Sequence, residues 1–155
     1  MPLPLPPSGC FDGARHLYAV RVYFEDTDLS GVVYHANYLR WFERARSDML
    51  RLLGIDQRGA QEAGEGAFAV TDLALKYARP ARLDDDVLIE STVAEVSRVT
   101  CSLVQKAWRG EELLADGQVR VAFVSPQGRA RRLPAHFHTA FTALTAPSPE
   151  GSVHP

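Results

Sequence analysis

Residues 34–54 read YHANYLRWFERARSDMLRLLG, and the spacing of their apolar side chains decides the fold. Tyr38, Trp41, Phe42, Ala45, Met49, Leu52 and Leu53 recur at helical steps, which puts them on one stripe of an α-helix. Arg40, Glu43, Arg44, Asp48 and Arg51 take the other side. Gly54 is placed to stop the helix in a left-handed C′ position. The run from Ala36 predicts about five turns. Large aromatics on both flanks ask for more cover than a surface helix receives.

The segments around this helix read as strands. HLYAVRVYF, residues 16–24, alternates, with Leu17, Ala19, Arg21 and Tyr23 on one face and Tyr18, Val20, Val22 and Phe24 on the other. After the helix, QRGAQEAGEG (57–66) is loop-like. Strand patterns follow at 66–80, 85–99, 100–110 and 112–125, with RGEE between Trp108 and Leu113 as a hairpin turn. LPAHFHTAFTAL (133–144) predicts a short terminal helix with Pro134 near its first turn. Short turns favour antiparallel neighbours. The expectation is an α+β fold, a curved antiparallel sheet of about five strands wrapped around one long helix. It occupies one domain over 16–145, between a flexible Pro-rich leader (1–15, opening MPLPLPPSG) and a flexible tail (146–155).

Composition excludes several classes. The chain has 155 residues, 46% hydrophobic and 23% charged, with a net charge of −2. Nothing in that balance draws it generally to nucleic acid or to an anionic membrane. No apolar run reaches the roughly 18 residues that would span a bilayer. Cys10 and Cys101 are too far apart for a metal-ligand or CxxC spacing, and a reducing cytoplasmic setting is the default.

Just before the helix stands EDTDLSG (25–31), with three acids, a Gly and, four residues on, His35. From residue types alone, Asp26 and Asp28 suit turn positions or an interaction with the helix start, and His35 suits a structural role. Glu43, three residues from both Arg40 and Arg46, reads as a helix ion pair.

VRVYFEDTDLSGVVYHANYLRWFERAR (20–46) resembles the hotdog-fold acyl-CoA thioesterases of the 4-hydroxybenzoyl-CoA thioesterase class. It is most similar to those associated with the bacterial Tol–Pal system. VTDLALKYARPARLDDDVLIES (70–91) and RARRLPAHFHTAF (129–141) extend the resemblance. It implies hydrolysis of acyl-CoA, with acyl carrier protein as an alternative carrier. Asp28 would act as nucleophile or general base, and His35 would orient water, contact Asp28 or hold the thioester. The backbone N–H of His35 or a neighbour would polarise the carbonyl, because helix starts offer unpaired N–H groups and a positive dipole end. Gly31 would allow close backbone approach, and Val33, Tyr34 and Asn37 would shape the substrate site. Lys76, Arg79, Arg82 and Arg129, with Arg131 and Arg132, are candidates for CoA phosphates. No metal and no cofactor are implied. The resemblance also implies a homo-oligomer, dimer or tetramer, with its site at a subunit interface. A hotdog dehydratase and a non-hydrolytic acyl-thioester binder or scaffold are the rival readings.

Overall fold

The computed structural model describes residues 1–145; the tail assigned to 146–155 lies outside the described residues. The strands are β1 (Cys10–Asp12), β2 (Arg15–Arg21), β3 (Ala67–Tyr77), β4 (Asp86–Val96), β5 (Thr100–Arg109) and β6 (Glu112–Val124). The helices are α1 (Asn37–Leu52), α2 (Gln57–Glu62) and α3 (Ala135–Thr145). All pairings are antiparallel, in the order β1-β2-β4-β5-β6-β3.

The sheet takes its curvature partly from register breaks at Val70/Asp72 and Val93/Glu95, where an irregular residue bends the strand. On one face lies α1, whose Tyr38, Trp41, Phe42 and Ala45 are almost fully buried against Val20, Val22, Val87, Ile89, Ala107 and Leu114. Gly117 in β6 lets the helix come this close. A Cβ there would stand 2.8 Å from Phe42 Cε2 and 3.3 Å from the Gln105 carbonyl. Gly54, at φ +75°, ends α1 as expected, its N–H bonding to the Arg51 carbonyl.

Four expectations need correction. Cys10–Asp12, assigned to the leader, pairs with β2, and Gly9 N–H bonds to Asp48 Oδ2 at 3.0 Å. Three residues are too few for a strand period to show. Residues 57–62 form α2 rather than loop; Asp56 caps it by accepting from Gly59 N–H at 2.9 Å. Phe24 is 82% exposed because the chain leaves β2 for a 3-10 turn at Phe24–Asp26. At the end of α1, Leu50 is buried instead of Leu52, since it joins Met49, Ile55 and Ala60 in a second apolar cluster.

Two sheet residues, His16 and Gln105, make polar contacts with α1. His16 Nε2 meets Asp48 Oδ2 at 2.7 Å, with His16 fully buried and its Nδ1 without a partner among the described residues. Gln105 Nε2 donates to the Phe42 carbonyl at 3.0 Å and to Ser91 Oγ at 2.9 Å, while its Oε1 accepts from Arg46 Nη1 at 2.8 Å.

Candidate active site

Residues 27–33 form a tight hairpin. Thr27 and Val33 bridge, Asp28 N–H bonds to the Val32 carbonyl, and Gly31 N–H closes the turn on the Asp28 carbonyl at 3.1 Å. Gly31 sits at φ +84°, which an L-residue adopts only under strain. The hairpin is tied to the 80–85 segment by a Val32–Arg82 bridge and by Val33 N–H to the Ala81 carbonyl at 2.9 Å. Ala81 N–H in turn reaches the Tyr38 hydroxyl at 3.2 Å. The turn is thereby fixed relative to the first residues of α1.

Asp28 Oδ1 accepts from Ser30 N–H at 2.8 Å and from the Ser30 hydroxyl. These two bonds, hydroxyl first, hold its carboxyl below the ordinary value of 3.8, and a positive charge on His35 acts in the same sense. The group is ionised at neutral pH. In the single chain its side chain is exposed, as are His35 and Tyr34.

The start of α1 is open. Asn37 N–H bonds to the Tyr34 carbonyl at 2.8 Å and Leu39 N–H to that of Ala36 at 3.1 Å, whereas the N–H groups of His35 and Ala36 have no hydrogen-bond partner among the described residues. They lie at the positive end of a 16-residue helix. The Tyr77 hydroxyl donates to the His35 carbonyl and so pins this tip to the end of β3.

Other expected site residues divide. Val33 is 4% exposed and belongs to the core. Asn37 is buried and donates to Asp26 Oδ1 at 3.1 Å, and Asp26 also accepts from Tyr23 N–H. Both residues therefore brace the loop. Arg82 flanks the hairpin, and Arg79 meets Glu112 at 3.7 Å. Lys76 alternates with Tyr77 along β3 and so takes the face away from the tip. Arg129 lies beyond β6, beside the Ala67 end of β3, about 30 Å along the strand from Tyr77 in the same chain. Glu43 forms no ion pair with Arg40 or Arg46 among the described residues. Sequence reading passed over Ser30, Tyr77 and Ala81, which set the carboxylate and the tip. Only the Ser two residues after Asp28, a common turn-acid partner, was open to inference.

An antiparallel sheet wrapped around one long helix is the hotdog fold. The chain belongs to the Thioesterase superfamily, whose family model matches residues 30–115. It is similar to the acyl-CoA thioesterase YbgC of Haemophilus influenzae, at 41% identity over 78% of this chain and 93% of that one. The acyl-CoA thioester hydrolase YbgC of Escherichia coli is 40% identical over 76% and 88%. Among solved structures, a probable thioesterase from Bartonella henselae superposes with a TM-score of 0.74, at 36% identity over 77% of this chain and 99% of that one. A 1,4-dihydroxy-2-naphthoyl-CoA thioesterase from Synechocystis, at 24% identity, shares the fold with a TM-score of 0.78 over 86% and 99%.

Proposed function

We propose that this chain hydrolyses acyl-CoA thioesters to a carboxylic acid and free CoA, with Asp28 supplying the carboxylate and the His35 and Ala36 amides receiving the carbonyl oxygen. The observation that carries the reading is an ionised Asp28, held by Ser30, ahead of an α1 tip whose His35 and Ala36 N–H groups have no partner among the described residues. As nucleophile, Asp28 attacks the carbonyl carbon, the C–S bond breaks, and the thiolate leaves. Water then opens the mixed anhydride. As general base, Asp28 takes a proton from water, whose oxygen attacks instead. Both routes place negative charge on the carbonyl oxygen, where two preorganised amides stabilise it. His35 stands at the tip to orient the water, Gly31 leaves room above the turn, and Tyr34 lines the approach. Arg79 and Arg82, on the segment gripping the hairpin, suit the CoA phosphates. Acyl carrier protein is the alternative carrier. The working domain spans 16–145 with Cys10–Asp12 added to its sheet, in the cytoplasm. Among the described residues, no helix is long and apolar enough to cross a membrane.

The working unit is a homo-oligomer. β3 is an 11-residue edge strand with Val70, Leu73 and Tyr77 about half exposed, an unpaired backbone row that a second copy covers. Pairing two β3 edges antiparallel about a two-fold axis sets the Tyr77 end of one chain against the Ala67 end of the other. That brings the partner copy over the exposed Asp28 and encloses the tip.

A thiol-release assay over short-chain, aromatic and long-chain acyl-CoAs tests the function. Release by the wild type supports hydrolysis. Hydration of crotonyl-CoA, followed by its absorbance, without thiol release would establish the dehydratase instead. Acyl-CoA binding without turnover would establish the scaffold.

A further inference from the structure

Between the second half of α1, the start of β3 and α3 lies a cavity of about 100 Å3, separate from the Asp28 turn. Its walls are mainly apolar, with Met49, Leu50, Phe68, Val93, Leu103 and Phe141 facing it. Cys101 adds no charge, because burial pushes its thiol up to about 12. One cation lines the space, Arg46. Its single hydrogen bond among the described residues is to a neutral group, Gln105 Oε1. Both hydrogens of the Gln105 amide are committed, to Phe42 and Ser91, so the acceptor that aims Arg46 is itself fixed. Glu43, the cavity's one carboxylate, is exposed at the rim and makes no ion pair with Arg46. Burial disfavours the charged guanidinium, and only the Coulombic pull of Glu43 offsets it. A desolvated cation without an anion is costly and is ordinarily met by a counter-charge.

We propose that this cavity binds a small apolar carboxylate, its hydrocarbon against Met49, Phe68 and Leu103 and its carboxylate paired with Arg46. The volume is about two-thirds of a cavity of about 150 Å3 that admits benzene, so the enclosed hydrocarbon has roughly four to six carbon atoms, with the carboxylate at the Arg46 edge. The guanidinium fork matches a carboxylate in two parallel bonds. The same chemistry arises from the distal carboxylate of an acyl chain or from a free acid.

Calorimetric titration with benzoate tests the proposal and needs no turnover, so its failure is distinct from failure of the thioesterase reading. Arg46→Met removes the charge and keeps the stem. Ser47→Phe puts a ring into the cavity lining, and Ser47 takes no part in the Gln105 bonds. Benzoate binds the wild type, at least tenfold more weakly binds either variant, and benzyl alcohol binds the wild type at least tenfold more weakly than benzoate. Should Arg46→Met fail to fold, Ser47→Phe and benzyl alcohol carry the comparison. Absence of benzoate binding to wild type, or equal binding of benzyl alcohol, overturns the site; so does undiminished affinity in folded Arg46→Met. Kinetics with dodecanedioyl-CoA and lauroyl-CoA, whose chains are long enough to run the roughly 16 Å along α1 from its tip to Arg46, separate the sources. Competitive inhibition by benzoate, with selectivity for dodecanedioyl-CoA lost in Arg46→Met, assigns the cavity to the acyl chain. Non-competitive inhibition with unchanged selectivity assigns it to a free acid.

Discussion

Gly117→Ala tests how closely the central helix must approach the sheet. The added methyl would stand 2.8 Å from Phe42 Cε2, 3.3 Å from the Gln105 carbonyl and 3.4 Å from Leu75 Cδ1. Phe42 is 1% exposed and Gln105 is fully buried, so neither has room to withdraw. Overpacking of this kind costs about 1–3 kcal/mol, and the stiffer unfolded chain returns about 0.4–1 kcal/mol, for a net loss of about 1–2 kcal/mol. For a domain of this size that lowers Tm by roughly 2–8 °C. Phe42→Leu in the same chain vacates the space, so the double variant is more stable than the two single costs predict, by about 1 kcal/mol. Urea denaturation of all four proteins measures both quantities. An unchanged midpoint for Gly117→Ala, or strictly additive losses, would refute the packing argument.

Other consequences follow from particular contacts. Ser30→Ala removes the strongest restraint on the Asp28 proton, so its carboxyl rises toward 3.8 and the acid limb of the pH–kcat/KM profile moves up, with the rate at pH 7 unaltered by protonation; an unmoved limb would detach Ser30 from the site. Asp48→Ala strips the acceptor from buried His16 and from Gly9 N–H and destabilises by about 1–3 kcal/mol, read by thermal melting, whereas a neutral result would make the pair dispensable. A thiol reagent modifies exposed Cys10 in the native protein and reaches buried Cys101 only after unfolding; rapid reaction of both contradicts the burial. Leu73→Asp on the β3 edge converts the oligomer to the 17.1 kDa chain and reduces thiol release, checked by light scattering. An unaltered mass would move the interface elsewhere.

Much of this was legible because it is periodic. The α1 stripe, the long strands and the Gly54 stop rest on repeats of two or 3.6 residues that survive into the fold. What stayed hidden was either too short to show a period, as with Cys10–Asp12, or required tertiary geometry. The residues that brace the hairpin lie up to some fifty positions away in sequence, as Ala81 does from Val33. Arg46 read only as a partner of Glu43 in a helix ion pair. It turns inward because the sheet wraps the helix far enough to cover its flank and presents Gln105 to it. Residue type could not place Arg129 either: strand direction carries it to the Ala67 end of β3, the end that the proposed β3 pairing sets against the Tyr77 end of a second copy.

The most direct measurement is thiol release by Asp28→Asn beside wild type, with folding and solution mass verified for both. Removing a nucleophile or general base from this turn is expected to lower kcat/KM by about 10²–10⁴-fold while leaving the fold unaltered. Release by the variant within threefold of wild type would mean that the Asp28 carboxylate does not carry the reaction.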